Sequence, residues 1–182
     1  AMVEAACDVN PLTKLPGNRM IESTIESLIS GKCDWAIAYI DIDNFKAFND
    51  AYGFAAGDQV ILDVADSMKS CFPGGTFMGH VGGDDFVAIF SGDHAEECLK
   101  RLCLAFHGKI LPLYTEEDRN RGYIISKDRS GVERTFPIAS LSIALMKSSV
   151  ARPSSMKEFS KLIAKAKKKA KAKDGDAIAL AK

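Results

Sequence analysis

The chain has no Cys-x-x-Cys pair, no apolar run approaching the width of a bilayer, and no excess of charge of either sign. Each gap narrows the field. Its five cysteines (Cys7, Cys33, Cys71, Cys98 and Cys103) are scattered and odd in number. That pattern argues against a disulfide framework or a structural zinc site, and for a reducing compartment. A membrane-spanning helix needs ~20 consecutive apolar residues, so no membrane contact by this domain is expected. The N-terminus lacks the pattern of a secretory signal, and the expected location is cytoplasmic. The 24 basic residues balance the 24 acidic ones, and no nucleic-acid partner is expected.

What is present is an ordinary globular composition, 47% hydrophobic and 26% charged over 182 residues. That is enough chain for one domain with a full core, and residues 1–182 are read as a single domain. The chain starts Ala-Met, which suggests a piece of a longer protein. Its charge is balanced globally but not locally. Seven lysines fall between Lys161 and Lys173, while acids gather between Asp34 and Asp93. The lysine run reads either as a solvated helix face or as the docking side for a phosphate-rich or acidic partner.

Turn chemistry surrounds Pro11, Pro16 and Gly17. Helical spacing of Met20, Ile21, Ile25, Leu28 and Ile29 predicts a helix over 18–30, closed by Gly31. WAIAYID (35–41) reads as a buried strand. Residues 42–56 read as a short helical turn and a loop at Tyr52-Gly53, with Asp58 capping a helix that runs to about Cys71. FPGG (72–75) is a turn. TFMGHV and DFVAIF form a hairpin with Gly-Gly at its tip, and Asp93 caps a helix to about His107. RGYIIS and VERTFP pair across KDRSG, within a 108–137 stretch that is otherwise hard to place. SLSIALM (140–146) is a strand, 154–173 a basic amphipathic helix, and AIAL (177–180) an edge strand. Strands interleaved with helices around a central hairpin predict an α/β (α+β) fold of the split βαβ kind.

In such a sheet the first strand neighbours the hairpin. Asp41-Ile42-Asp43 and Gly82-Gly83-Asp84-Asp85 therefore meet at one end of the sheet. Hard carboxylate oxygens placed there are what Mg²⁺ requires, completed by water and phosphate oxygens. Glycines allow close approach of a ligand. Metal-assisted phosphoryl transfer is the reaction class these residues suggest. Bland readings stand beside this one: Asp43 as a helix N-cap, and Asp84-Asp85 as a polar hairpin tip.

NPLTKLPGN, YIDIDNFKAFNDAYGFAAGD and GHVGGDDF, taken together with the final lysine-rich helix, resemble the GGDEF domains of the diguanylate cyclase family. The resemblance implies a βααββαβ core with a central, mainly antiparallel sheet flanked by helices. It implies condensation of two GTP into cyclic di-GMP, with Mg²⁺ or Mn²⁺, between two domains of a homodimer. It implies attached sensory or regulatory domains in a bacterial signalling protein. By position, Asp41, the Ile42 carbonyl and Asp84 would hold the metal, and Asp84 and Asp85 would be catalytic. Backbone amides around Asn44 and Phe45 would hold phosphates at a helix start, aided by Lys46 (otherwise an exposed lysine) and by Lys171 or Lys173. Asn49 and Asp58 would read the guanine edge, unless Asp58 is only an N-cap.

Several positions depart from the family pattern. Asp85 stands where Glu is usual, one methylene shorter. His80 stands near a common arginine and reads as a structural histidine, and Phe54 replaces a common histidine. The product-inhibition motif Arg-x-x-Asp is absent at Pro73–Thr76, so feedback through that site is not expected. Asp176 follows Gly175 where the family carries a basic residue. A working diguanylate cyclase and a catalytically degenerate GTP-binding regulatory domain both remain as readings.

Overall fold

The computed structural model describes residues 8–182, so Cys7 lies outside the described residues. Five strands form the central sheet in the order β2-β3-β1-β6-β7. They are β1 (Ala36–Ile42), β2 (Phe77–Gly82), β3 (Asp85–Phe90), β6 (Leu141–Lys147) and β7 (Ala177–Leu180). All pairings are antiparallel except β6 with β7. Strands β4 (Tyr123–Lys127) and β5 (Glu133–Pro137) form a separate hairpin. The expected mainly antiparallel sheet, the central hairpin beside the first strand and the terminal edge strand are all present.

Alternation along the strands sorts the two faces. Ala36, Ala38, Ile40 and Ile42 of β1, with Phe86, Ala88 and Phe90 of β3, pack under three helices. These are α2 (Phe45–Tyr52), α3 (Phe54–Cys71) and α4 (Ala95–Ile110). Ile37, Val87, Ile89, Ala144 and Met146 face the other way, against α1 (Asn18–Ser30) and α6 (Met156–Lys171). Asp41 and Asp85 have the parity of this second face, and the period of the strand alone turns them toward the lysines of α6.

The N-terminal loop braces the hairpin of β2 and β3. Asn10 Oδ1 accepts from the amides of Leu12 and Thr13, and the Pro16 carbonyl accepts from His80 N–H at 2.8 Å. The His80 ring is buried and stacks on Phe86 with centroids 4.4 Å apart. Its Nε2 lies 2.9 Å from the Gly83 carbonyl and its Nδ1 3.0 Å from Thr13 Oγ1. A carbonyl only accepts, so Nε2 carries the proton and Nδ1 accepts from the Thr13 hydroxyl. Burial lowers the His80 pKa, in keeping with this neutral tautomer. His80 is therefore the structural histidine the sequence suggested.

Several local expectations are corrected. Residues 45–52 form a full helix rather than a turn, and α3 begins at Phe54, with Gly53 before it at φ 90°. Asp58 thus sits inside the helix, exposed, and caps nothing. Asn44, not Asp43, precedes α2. His94 precedes α4 without a side-chain cap, while Asp93 pairs with Lys147 at 3.3 Å. The two-residue turn of the β2–β3 hairpin is Gly83-Asp84 rather than Gly82-Gly83, because β2 bulges after His80 and Gly82 still pairs with Asp85. The stretch without an assignment holds a 3₁₀ turn (Leu111–Leu113) and α5 (Glu116–Arg121), which Thr115 caps by accepting from Asp118 N–H.

Candidate active site

The acidic strand ends meet as the topology requires. Asp41 pairs in register with Asp85, and the Ile42 amide donates to the Asp84 carbonyl at 3.2 Å. Carboxylate oxygens of Asp41, Asp84 and Asp85 all lie within 4.8 Å of one another. Asp41 is buried and the other two are half-buried. Crowding acids at a protein surface is unfavourable unless positive charge offsets it. Burial first, then the Asp41 carboxylate, raises the Asp84 pKa. Burial, contact with the Asp41 carboxyl and its charge push Asp85 up to about 6, against the pull of Lys167.

Two lysines one turn apart on α6 supply part of the offset. Lys171 Nζ is 2.8 Å from Asp41 Oδ2, and Lys167 Nζ is 3.9 Å from Asp85 Oδ1. Lys167 also lies over the Tyr39 ring, 5.1 Å from its centroid. Even so, Asp41 Oδ1 and Asp85 Oδ1 are buried with no hydrogen-bond donor. Native proteins seldom leave buried oxygens unpartnered. Hard, anionic, unpartnered oxygens beside a third carboxylate suit a divalent cation, so the residues present fit the group their chemistry implies.

Asp43 takes a different part. Its backbone amide donates to the Ser140 carbonyl at 2.8 Å. Its carboxylate accepts from the hydroxyls of Ser140 (2.8 Å) and Ser142 (2.7 Å). Burial nevertheless raises its pKa. These bonds fix the end of β1 against β6 and keep Asp43 out of the three-carboxylate cluster.

Beyond Asp43 the chain turns through Asn44, which is left-handed at φ 60° and makes no side-chain cap. The first amides of α2, from Phe45 onward, therefore lack a side-chain acceptor and carry the positive end of the helix. A cavity of about 330 Å³ opens beside them, lined by Asp43, Asn44, Ser140, Lys171, Lys173 and Gly175, among others. Both candidate lysines line it. Asp176 does not act as a basic residue would: its carboxylate accepts from Leu141 N–H at 2.8 Å and ties the chain after α6 to β6.

Asn49 and Asp58 sit on adjoining helices, α2 and α3. Asn49 Oδ1 is buried without a donor. A Cβ on Gly57 would lie 1.7 Å from that oxygen, so only glycine admits Asn49 there. Lys46 is exposed and pairs with Asp50 at 2.6 Å. Asp41, Asp84, Asp85, Lys171, Asn44 and the start of α2 thus form one continuous site, with Asn49 and Asp58 beyond it along α2 and α3. Sequence reasoning missed Lys167, Ser140 and Ser142. Lys167 was within reach, since i,i+4 spacing puts it on the face of Lys171.

No helix among the described residues is long and apolar enough to cross a membrane.

The family profile described as "Diguanylate cyclase, GGDEF domain" matches residues 7–121. The chain is 31% identical over 117 residues to the cyclic di-GMP phosphodiesterase PdeR of Escherichia coli, covering 59% of this chain and 18% of that protein. It is 34% identical over 103 residues to the bifunctional diguanylate cyclase/cyclic di-GMP phosphodiesterase MucR of Pseudomonas aeruginosa, covering 50% and 15%. It thus spans less than a fifth of the length of these relatives. The isolated GGDEF domain of PA1120 from Pseudomonas aeruginosa superimposes with TM-score 0.67 at 20% identity, over 96% of this chain and 94% of that one. The GGDEF domain of DgcB from Caulobacter crescentus, solved with c-di-GMP, gives 0.65 at 22% identity over 98% of each. The match over most of the chain, together with the shared fold, shows that the chain belongs to the GGDEF diguanylate cyclase family.

Proposed function

We propose that this domain binds GTP with a divalent cation, Mg²⁺ or Mn²⁺, and that two copies condense two GTP into cyclic di-GMP with release of pyrophosphate. The observation that carries the reading is the cluster of Asp41, Asp84 and Asp85, with two buried oxygens unpartnered, beside an uncapped helix start. In this reading Asp41, Asp84 and the Ile42 carbonyl hold the cation. The amides of Asn44, Phe45 and Lys46, with Lys171, hold phosphates. Asn49 and Asp58 bond the guanine edge, where a carboxylate accepts from N–H groups and an amide does both. When bound, the cation neutralises phosphate charge and polarises the phosphorus under attack. Asp85 keeps the carboxylate of the motif and lies against the Asp41 carboxyl, where burial raises its pKa toward neutral pH and suits it to exchange a proton.

Lys171 has two partners to choose between. In the metal-free chain it pairs with Asp41. With the carboxylates engaged by a cation, it is released toward the adjoining cavity it already lines. The signalling domains expected beside this one, and a cytoplasmic setting, belong to the same reading.

A second reading, a GTP-binding regulatory domain without turnover, is favoured by two observations. Asp85 is shorter than the usual Glu and is drawn toward Lys167, and Asp176 ties β6 rather than presenting positive charge. Incubating the chain with GTP and Mg²⁺ or Mn²⁺ at high protein concentration, then separating the nucleotides, decides between them. Cyclic di-GMP from the wild type and none from Asp84→Ala supports the cyclase. GTP binding without product supports the regulatory domain.

A further inference from the structure

The segment 114–118 has no part in the reading above, yet it reaches both ends of α2, the helix that carries the phosphate-binding amides and Asn49 in that reading. At the far end of α2 the link is direct. The Tyr52 hydroxyl donates to the Asp118 carboxylate and accepts from Thr115 N–H at 3.2 Å. Asp118 also pairs with Arg121, so the acceptor is itself anchored within α5. At the near end the link runs through the loop before β6. The buried Tyr114 hydroxyl accepts from Ala139 N–H at 2.9 Å. The next residue, Ser140, accepts from the Asp43 amide through its carbonyl and donates to the Asp43 carboxylate through its hydroxyl, both at 2.8 Å. Asp43 is followed by the left-handed Asn44, from which α2 departs.

Three rings fill the space between those ends. Phe48, in the middle of α2, lies 5.0 Å from Tyr52 and 5.2 Å from Tyr114, centroid to centroid, and the two tyrosines are 5.4 Å apart. Tyr114 meets both partners edge to face, an arrangement the ring quadrupoles favour. Tyr114 is 3% exposed and Ala139 2%. Water has no ready access to the Ala139 amide, so losing the phenol leaves that donor buried and unpaired. The three carboxylates are held differently. They stand on β1 and the β2–β3 hairpin, and their links run across that ladder and to the lysines of α6.

We infer that Tyr114 is a positioning residue for the nucleotide site. Through Ala139 and Ser140 it fixes the chain that enters α2, and through Phe48 it fixes the helix itself. The first amides of α2 and Asn49 are thereby set for one nucleotide together. The inference rests on the GTP reading of that groove. Binding constellations work only when held within about 0.5 Å of the productive geometry, so a hydrogen bond outside the groove controls affinity inside it.

The test is a double-mutant cycle on GTP affinity, measured by calorimetry at fixed Mg²⁺ with Tyr114→Phe, Ser140→Ala and the pair. Tyr114→Phe keeps the ring and removes only the hydroxyl. GTP binding is expected to weaken about three- to tenfold in Tyr114→Phe. In the double variant the loss is expected to be clearly smaller than the product of the two single losses, because both substitutions break one chain of contacts. Stabilisation of the chain by Mg²⁺ alone, read by thermal melts, stays as in the wild type, since the carboxylates are untouched. Far-UV circular dichroism shows that each variant is folded. Should Tyr114→Phe not fold, Tyr52→Phe takes its place, since it releases the other end of α2 and is expected to weaken GTP binding likewise. A merely structural tyrosine lowers the melting temperature and leaves GTP affinity as it was. Unchanged GTP affinity in the folded variant, or single losses that multiply in the pair, overturns the positioning role while leaving the nucleotide site standing. A wild type that does not bind GTP overturns both readings together.

Discussion

The two ends of the central sheet solve the same electrostatic problem in opposite ways. At the end where β1 begins, the carboxylates of Asp34, Asp93 and Glu96 have partners within the chain. Asp34 meets Arg152 at 2.6 Å and accepts from Ser148; Asp93 and Glu96 share Lys147 at 3.3 and 2.8 Å. At the end where β1 stops, three carboxylates crowd within 4.8 Å and two of their oxygens are buried without donors. The same strand carries both ends, so the contrast comes from side chains, not from backbone geometry. These three carboxylates are satisfied by the chain itself. The other end is incomplete until something positively charged joins it, and incompleteness of that kind marks a binding site.

The contrast breaks most sharply at Asp84. Asp84→Ala removes a carboxylate from the cluster, and cyclic di-GMP formation is expected to fall by more than about 10²-fold, measured by nucleotide separation after incubation with GTP. Next is Asp58→Ala. Losing a charged hydrogen bond to guanine is expected to weaken GTP binding by about 1.5–3 kcal/mol, read by calorimetry, while the response of the fold to cations stays as in the wild type.

A pH series sharpens the comparison without substrate. Asp85 has a folded pKa of about 6 against an ordinary 3.8, so its charged form is disfavoured in the folded chain. The metal-free protein is therefore expected to lose stability as pH rises from about 4 to 6, and to regain it when a divalent cation is added at pH 7.5. Thermal melts check this, and in Asp85→Asn the fall across that window should flatten. The smallest effect belongs to the other end of the sheet. Asp34→Asn loses an exposed pair with Arg152, and is expected to cost under about 1 kcal/mol, with no dependence on divalent cation in the same melts.

The sheet and the pairing of its acidic ends were legible because strand alternation and glycine turns are local signals with a fixed period. That Asp41 would meet Asp84 at one sheet end followed from the first strand lying beside the hairpin; in the ladder it is Asp85 that stands opposite Asp41. The capping residues were not legible. Asp58 was read as a cap after a loop at Tyr52-Gly53, whereas Gly57 lies within the helix and is needed so that Asn49 can occupy the space of its missing Cβ. That is a contact between helices, invisible in a local window. Asp43 resembled an N-cap, but its oxygens are taken by Ser140 and Ser142, nearly a hundred residues away in sequence. By contrast α5 was missed although Thr115 and Asp118 carry a local N-cap signature. The β4–β5 hairpin was legible as a hairpin, but the pairing of Asp128 with Arg134 across it depends on how the strands fold back.

The most direct test of the acidic end is titration of GTP into the purified chain with and without Mg²⁺, repeated for Asp84→Ala. If the three carboxylates complete a cation and nucleotide site, the wild type binds GTP with Mg²⁺ and much more weakly without it, and the variant loses that difference. Equal GTP affinity in the presence and absence of the cation, or a variant indistinguishable from the wild type, would contradict the account.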